Sequence, residues 1–259
     1  MSRILPAAPS AGNPSKTTAL TLVCFPHAGG NPATYHALAK HLPSDVHVVA
    51  YQAPARGCRF GEPPAASLTA MLDELEAPLV SATAAPCIFL GHSFGGMLAF
   101  EAARRLHQRG LPLPCHLTIS GSFPPEAVSA RREQWIQQAS SSDGELFDYM
   151  AERGGVPADL IAHRDAFLPL MPSMRAEFAI LRDYVPVAAP PLPLPLTTLC
   201  GEDDDVVPAD TMSGWSSYVT GEISHRILPG SHYYFDSHAQ AIAACLTQVA
   251  MRYLIVQAY

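Results

Sequence analysis

A short glycine-rich turn between an apolar run and a helical pattern constrains this chain more than any other feature. Residues 91–95 read GHSFG and directly follow the apolar run CIFL, and a helical pattern then continues until Gly110 ends it. A strand that turns this sharply into a helix needs small residues around the central Ser93, because larger side chains would collide with the neighbouring strand and helix. The sequence therefore predicts a strand–turn–helix unit that exposes Ser93 above the edge of a sheet.

Short apolar runs alternate with helical patterns along most of the chain. The runs that predict strands cover residues 20–25, 46–51, 87–91, 116–121, 196–201 and 224–228. Helical spacing is found at residues 34–42, 68–79 and 94–109, and in a last helix at about 237–253. Strands that alternate with helices form a mostly parallel sheet covered on both faces. We therefore expect an α/β fold.

One segment interrupts this alternation. Residues 124–185 contain no convincing strand pattern, and their short helical patterns carry bulky apolar side chains such as Met171 and Phe178. Open α/β sheets bind ligands at the carboxyl edge of their strands, where a helical insertion would be a lid. Met171 and Phe178 are then candidate substrate-binding residues. The alternative is a helical subdomain with its own core and no role in binding.

The composition fits one folded domain. With 48% hydrophobic and 15% charged residues, the 259-residue chain can bury a large core. We expect residues 1–18, which are rich in Ala, Pro and Ser, to be a flexible tail, and residues 19–259 to be the domain.

Charge and cysteine usage exclude several classes of protein. The net charge of −7 argues against binding to nucleic acid or to an anionic membrane. The tail lacks the hydrophobic region of a signal peptide, and no apolar segment reaches the length of a membrane span. The six cysteines are scattered without a C-x-x-C pair, which indicates buried thiols rather than disulfides or a metal site. We expect a cytoplasmic protein.

An activated serine needs a base and an orienting acid, and both follow Ser93 in the chain. Residues 202–205 are four consecutive acids just after a predicted strand, and His232 lies in a loop after the next one. Serine, acid and histidine is a known order of such a catalytic triad. His232 is therefore the predicted general base, whereas the four acids leave the choice of acid open. His92 adjoins Ser93, but successive side chains diverge, which disfavours it as the base.

An oxyanion hole for this chemistry needs two backbone N–H donors. One is expected from Phe94, the residue after the serine. The loop FPHAGG at residues 25–30 is the predicted source of the other, because its glycines allow close approach of the backbone to a substrate. Ala28 is the preferred donor, with His27 and Gly29 as alternatives, and both of these are also candidate substrate-binding residues.

Four motifs in this order carry a family resemblance. They are FPHAGG at residues 25–30, PARGCRFGEP at 54–63, GHSFGG at 91–96 and PGSH at 229–232. They resemble the type II thioesterases, the stand-alone editing enzymes of nonribosomal peptide and polyketide synthases, which are related to medium-chain fatty acyl thioesterases. The resemblance implies an α/β-hydrolase fold, with a mostly parallel central sheet flanked by helices and a helical lid at about 124–185.

The resemblance also implies the catalytic residues. The family's acid lies in a G-x-x-D-x-x-V pattern, which Gly201, Asp204 and Val207 match, so the implied triad is Ser93, Asp204 and His232. One departure is that Ala55 stands where the family usually has the glycine of a P-G-R motif.

The implied reaction is hydrolysis of an acyl or aminoacyl thioester on the phosphopantetheine arm of a carrier protein. The protein itself would need no cofactor or metal, and its expected state is a monomer. Carrier domains are usually acidic, so we expect no strong electrostatic match with this acidic chain apart from local basic pairs, such as Arg56 with Arg59 or Arg131 with Arg132. The alternative for each pair is a solvated surface charge.

Three alternatives remain at this stage. A general short- or medium-chain acyl esterase, or a fatty acyl carrier protein thioesterase, needs the same triad. A non-catalytic protein of this fold that binds acyl chains would normally lack a triad residue. A releasing or cyclising domain cut from a synthase is the third.

Overall fold

The computed structural model describes residues 3–7, 20–156, 158–235 and 237–254. In this part of the chain one sheet has seven strands, in the spatial order β1-β3-β2-β4-β5-β6-β7. The strands are β1 (Ile4–Pro6), β2 (Leu20–Phe25), β3 (Val46–Tyr51), β4 (Cys87–His92), β5 (His116–Ser120), β6 (Leu196–Gly201) and β7 (Ile223–Leu228). Neighbouring strands from β3 to β7 are parallel, and β1 is antiparallel to β3.

The central strands are buried along their whole length, which explains their continuous apolar runs. Every residue of β4, β5 and β6 is buried, as expected for a parallel sheet covered on both faces. The register pairs Phe25 with Gly91 and His92 with Ser120, so these strands end at one edge. The loops that follow them therefore meet there.

Ten α-helices and four 3-10 helices are described, and the α-helices cover the two faces of the sheet and form an insertion. They are α1 (His36–Ala39), α2 (Leu68–Thr83), α3 (Phe94–Gln108), α4 (Pro125–Ala130), α5 (Arg132–Ser140), α6 (Asp143–Glu152), α7 (Ala158–Ile161), α8 (Arg164–Phe167), α9 (Met171–Asp183) and α10 (Ala239–Leu254). The side chains of α2 and α3 pack with Val23 and Phe25 on one face of the sheet. Those of α1 and α10 pack with Leu22 and Cys24 on the other face. This alternation along β2 follows from the two-residue period of a strand.

Helices α4 to α9 form the insertion between β5 and β6. No strand interrupts them in the described residues of this segment. Trp135 of α5 stacks on Phe178 of α9, with 6.2 Å between the ring centroids. An ion pair between Arg175 and Asp143 ties α9 to the start of α6. The insertion is thus a packed helical layer rather than a loose loop.

The predicted fold class and the six predicted strands are confirmed, with strand limits within one residue. Strand β1 corrects the expectation of a flexible tail over residues 1–18, because Ile4–Pro6 pairs with β3. Residues 1–2 and 8–19 of that predicted tail lie outside the described part of the chain. All six cysteines are free thiols. Among the described helices, none has both the length and the apolar character to cross a membrane.

Candidate active site

The turn between β4 and α3 holds Ser93 in a strained backbone conformation. Its φ of 55° and ψ of −122° are unusual for a residue with a side chain. A Cβ atom on Gly91 would overlap the backbone of Gly95, and one on Gly95 would overlap the carbonyl group of Phe25. The Ser93 N–H donates to the Ser120 carbonyl at 2.8 Å, which fixes the turn to β5. The glycines of the motif are therefore required by close backbone approach.

A hydrogen-bonded chain of three side chains starts at this serine. The Ser93 Oγ lies 2.9 Å from Nε2 of His232, and Nδ1 of the same ring lies 2.9 Å from Oδ2 of Asp204. The imidazole and the carboxylate are both buried. A neutral imidazole in this position can accept the serine proton at Nε2 while Nδ1–H donates to the carboxylate.

The loop after β6 distinguishes among its four consecutive acids. Within residues 202–205, all of which are described, only Asp204 is buried. Its Oδ1 accepts the backbone N–H groups of Val206 at 2.9 Å and Val207 at 2.8 Å. Two backbone donors therefore hold the carboxylate in its orientation toward His232, whereas the other three side chains are exposed.

His92 has a different environment from His232. Its Nδ1 lies 3.0 Å from Oγ of Ser120, and its ring centroid lies 5.0 Å from that of His232. Burial lowers the pKa of His92 well below its usual value, with the nearby charges of His232 and His27 adding to the effect. The ring is therefore a neutral packing partner of His232, and it is His232 rather than His92 that is hydrogen-bonded to Oγ of Ser93.

Two backbone donors flank the serine in one cavity. Ala28, Phe94, Ser93 and His232 all line it. Among the described residues, no acceptor is paired with the N–H of Ala28 or of Phe94. The Phe94 N–H also belongs to the first turn of α3, where the helix dipole favours negative charge. In contrast, the N–H of Gly29 donates to Glu177 at 2.8 Å, which removes Gly29 from the alternative donors.

The rest of the cavity is mostly apolar, and the insertion supplies part of its wall. Its wall includes Trp135, Tyr149, Phe178 and Leu181, and no Asp, Glu, Lys or Arg lines it in the described chain. A thioester carbonyl held between Ser93 and the two N–H groups would thus extend its acyl part into an uncharged space.

The four residues predicted to bind substrate lie in different environments. Phe178 lines the cavity, but Met171 is fully buried in the core and does not line it. His27 and Gly29 also lie outside the lining. The ring of His27 packs edge-on against Tyr233 at 5.1 Å, and burial lowers its pKa to about 3.

Comparison with known proteins agrees with the family resemblance seen in the sequence motifs. The family model for the thioesterase domain matches residues 20–248. The chain belongs to the thioesterase family. It is 32% identical over 228 residues to thioesterase TesA of Mycobacterium marinum, covering 86% of this chain and 88% of that protein. It is 29% identical to a probable cadicidin biosynthesis thioesterase of Streptomyces griseus, covering 91% of this chain but only 64% of that longer relative. The solved structure of the type II thioesterase BorB from the borrelidin biosynthetic cluster superimposes with a TM-score of 0.81 at 27% identity, covering 97% of each chain.

The two pairs of arginines expected at the surface of this thioesterase lie in different environments. Arg56 and Arg59 are both buried. Arg56 is paired with Glu177, and Arg59 with Glu62 and Glu74. The expectation that these two arginines face a carrier protein is therefore wrong. Arg131 and Arg132 lie on the insertion, with the guanidinium of Arg131 3.9 Å from the centroid of the Phe123 ring.

Sequence analysis of the thioesterase did not find Trp135, Tyr149 or Glu177. Glu177 had a usable signal, because it is a single acid on the face of α9 that also carries Met174 and Phe178. A charged residue on an otherwise apolar helix face indicates a buried partner. No comparable signal marks the two aromatic residues, since which side of a short helix faces a cavity depends on its neighbours.

Proposed function

We propose that this thioesterase is a type II thioesterase, which hydrolyses acyl or aminoacyl thioesters on the phosphopantetheine arm of carrier proteins. The observation that carries the proposal is the chain from Ser93 through His232 to Asp204, which begins in an apolar cavity beside two unpaired N–H groups. The type II thioesterase BorB, named for a biosynthetic cluster, is similar over 97% of this chain. A second relative, named for gramicidin S biosynthesis, is 26% identical over 92% of this chain.

In the first half-reaction, Oγ of Ser93 attacks the thioester carbonyl carbon and His232 Nε2 takes the hydroxyl proton. The carbonyl oxygen becomes negatively charged and is bound by the N–H groups of Ala28 and Phe94. Each such donor in a serine hydrolase contributes about 10²- to 10³-fold to the rate. Asp204 stabilises the imidazolium that forms and keeps the ring oriented.

The intermediate then collapses. The C–S bond breaks, and the imidazolium of His232 returns its proton to the departing sulfur, so that the thiol of the arm leaves. The acyl group remains as an ester on Ser93. Water then enters, gives a proton to His232 and attacks the ester carbonyl. Breakdown of this second tetrahedral intermediate releases the carboxylic acid and restores the serine hydroxyl with the proton from the imidazolium.

Besides water, the reaction uses only side chains and backbone groups of the thioesterase and the acylated arm of the partner. The phosphopantetheine belongs to the carrier protein, so we propose no cofactor or metal bound to this chain. The monomeric state and the cytoplasmic location expected from the sequence remain predictions.

The test compares one acyl group on three leaving groups. Hydrolysis is measured for a butyryl group on a phosphopantetheinylated carrier protein, on coenzyme A and on a simple oxygen ester. We expect the highest kcat/KM with the carrier protein and loss of all three activities in Ser93→Ala, whose folding is checked by circular dichroism.

Two results would contradict the proposal. Equal or faster turnover of the oxygen ester would make the protein a general acyl esterase with the same triad. Activity near wild type in folded Ser93→Ala would mean that another residue is the nucleophile.

A further inference from the structure

Glu177 connects the helical insertion to the loops that follow β2 and β3. It lies on α9 and its side chain is nearly fully buried. One carboxylate oxygen accepts the N–H of Gly29 at 2.8 Å, in the loop after β2. The other is paired with the guanidinium of Arg56, in the loop after β3. A single carboxylate therefore connects three segments that are far apart in the sequence.

The contact to Gly29 fixes the backbone next to a proposed oxyanion donor. Gly29 has a φ of +79°, and Met174, also on α9, fills the space where its Cβ atom would lie. The Gly30 N–H donates to the His27 carbonyl at 2.9 Å, which closes the turn. Helix α9 thus holds Gly29 by a hydrogen bond and by packing, and the peptide unit just before it carries the Ala28 carbonyl. The direction of the Ala28 N–H depends on this turn.

The buried ion pair between Arg56 and Glu177 is difficult to explain by its contribution to stability alone. Nε and Nη1 of Arg56 are buried, and neither has a hydrogen-bond partner in the described part of the chain. Unpaired buried donors lower stability, and a buried ion pair is often replaced by apolar residues with no loss of stability. An arrangement that is unfavourable in this way, beside the proposed oxyanion hole, points to a role in the reaction.

We propose that Glu177 is a positioning residue for the oxyanion hole. Its carboxylate, held by Arg56, orients the turn at residues 27–30 so that the Ala28 N–H faces the oxygen of the tetrahedral intermediate. Formation of the oxyanion hole is then coupled to the packing of α9 against the loops after β2 and β3. This inference rests on the proposed function, because it assumes that Ser93 attacks a carbonyl in this cavity.

The first test replaces the charged pair. In Glu177→Gln, the amide can accept from either Gly29 or Arg56 but not from both. In the double variant Arg56→Met/Glu177→Met, both charges are removed and the apolar side chains fill similar space, so folding is retained while the Gly29 N–H loses its acceptor. We expect kcat/KM to fall about 10- to 100-fold in both, chiefly through kcat, because a misdirected donor loses part of its contribution.

A second readout separates positioning from general structural damage. Butylboronic acid forms a tetrahedral adduct with an active-site serine, and one of its oxygens occupies an oxyanion hole. We expect its inhibition constant to rise by about the same factor as kcat/KM falls, because the adduct and the transition state use the same donors. The shape of the pH–rate profile should not change, since Asp204 and His232 are untouched.

The matched control is Asp143→Asn. It removes a different ion pair of α9, the one with Arg175, which does not reach the turn at residues 27–30. We expect kcat/KM and boronate inhibition within about twofold of wild type. Equal losses in Asp143→Asn and Glu177→Gln would show that any loosening of α9 has the same effect, and would overturn the positioning role.

The remaining outcomes separate the two proposals. A folded double variant with wild-type kcat/KM and boronate inhibition would overturn the role of Glu177 and leave the proposed function intact. Activity that survives in folded Ser93→Ala would refute the proposed function itself.

Discussion

The loops at the ends of the parallel strands and the helical insertion contribute differently to this thioesterase. Ser93 and Asp204 follow strands β4 and β6, which are buried at every residue, and His232 follows β7. The insertion instead contributes part of the apolar wall of the cavity, through residues such as Trp135 and Phe178. The loops at the strand ends thus fix the reacting atoms, and the insertion helps to shape the space for the substrate.

The two regions differ in how precisely their side chains must be placed. A hydrogen-bonded chain with distances of 2.9 Å needs a rigid support, and a buried parallel sheet provides one. The wall of a cavity needs only suitable shape and apolar character, which short helices can provide with many different side chains. Glu177 is the exception, because it connects the insertion to the loop that carries Ala28. We therefore expect changes at strand ends to affect rate and changes in the insertion to affect substrate choice.

The largest effect is expected at the strand end after β6. Asp204→Asn should lower kcat about 10⁴-fold, because an amide at this position stabilises the wrong tautomer of His232, as in another serine hydrolase. The matched controls are Asp203→Asn and Asp205→Asn, whose exposed side chains leave the rate within about twofold. Steady-state kinetics on one acyl thioester checks all three. A larger loss in either control would move the orienting acid to that position.

A smaller effect is expected in the insertion. Phe178→Leu should enlarge the cavity and raise the ratio of kcat/KM for an octanoyl thioester over a butyryl thioester by about 10-fold, as expected for one or two methylene groups. Met171→Leu is the control, because Met171 is buried outside the cavity and this swap is nearly isosteric. A chain-length series measures both. An unchanged ratio in folded Phe178→Leu would favour a purely structural role for α9.

Much of the sheet and of the catalytic site can be predicted from the sequence. The central strands were predictable because burial on both faces requires continuous apolar runs. The site residues were predictable as candidates because parallel strands place their following loops at one edge. Strand β1 was missed because three residues carry no pattern, and pairing with β3 alone defines it.

The contacts of the insertion could not be predicted in the same way. Arg56 and Glu177 are 121 positions apart, so no local pattern relates them, and Arg56 resembled a surface charge. The error at Met171 has a similar cause, since the orientation of α9 is set by packing against α5 and by its contact with Gly29. Helical periodicity predicts which residues share a face but not what that face contacts.

A third prediction concerns His116, which begins β5 at the end of the sheet away from the site. Burial lowers the pKa of His116 to about 4, against about 6.5 in an unfolded chain. As the pH falls below 6.5 the unfolded chain binds the proton first, so the free energy of unfolding decreases down to about pH 4. One such residue contributes at most about 1.4 kcal/mol per pH unit. Urea unfolding at several pH values should show a shallower decrease in His116→Gln. An identical pH dependence would mean that folding does not change the pKa of His116.

The smallest effect is expected in the loop after β3. Ala55 has a φ of 62°, a conformation that costs a residue with a side chain about 1–2 kcal/mol and glycine almost nothing. Glycine loses more entropy on folding, so Ala55→Gly should raise the free energy of unfolding by less than about 1 kcal/mol. Ala53→Gly, at a buried position without positive φ, should lower it instead. Thermal unfolding compares the two, and equal destabilisation would contradict the strain at Ala55.

The most direct test of the central claim is to locate the acyl group during turnover. The enzyme is mixed with a butyryl thioester, quenched with acid within milliseconds, digested and analysed by mass spectrometry. We predict a butyryl adduct on the peptide that contains Ser93, formed before steady state and absent in Ser93→Ala. An adduct on another residue, or hydrolysis with no acyl-enzyme under conditions that trap one in a known serine thioesterase, would contradict the account.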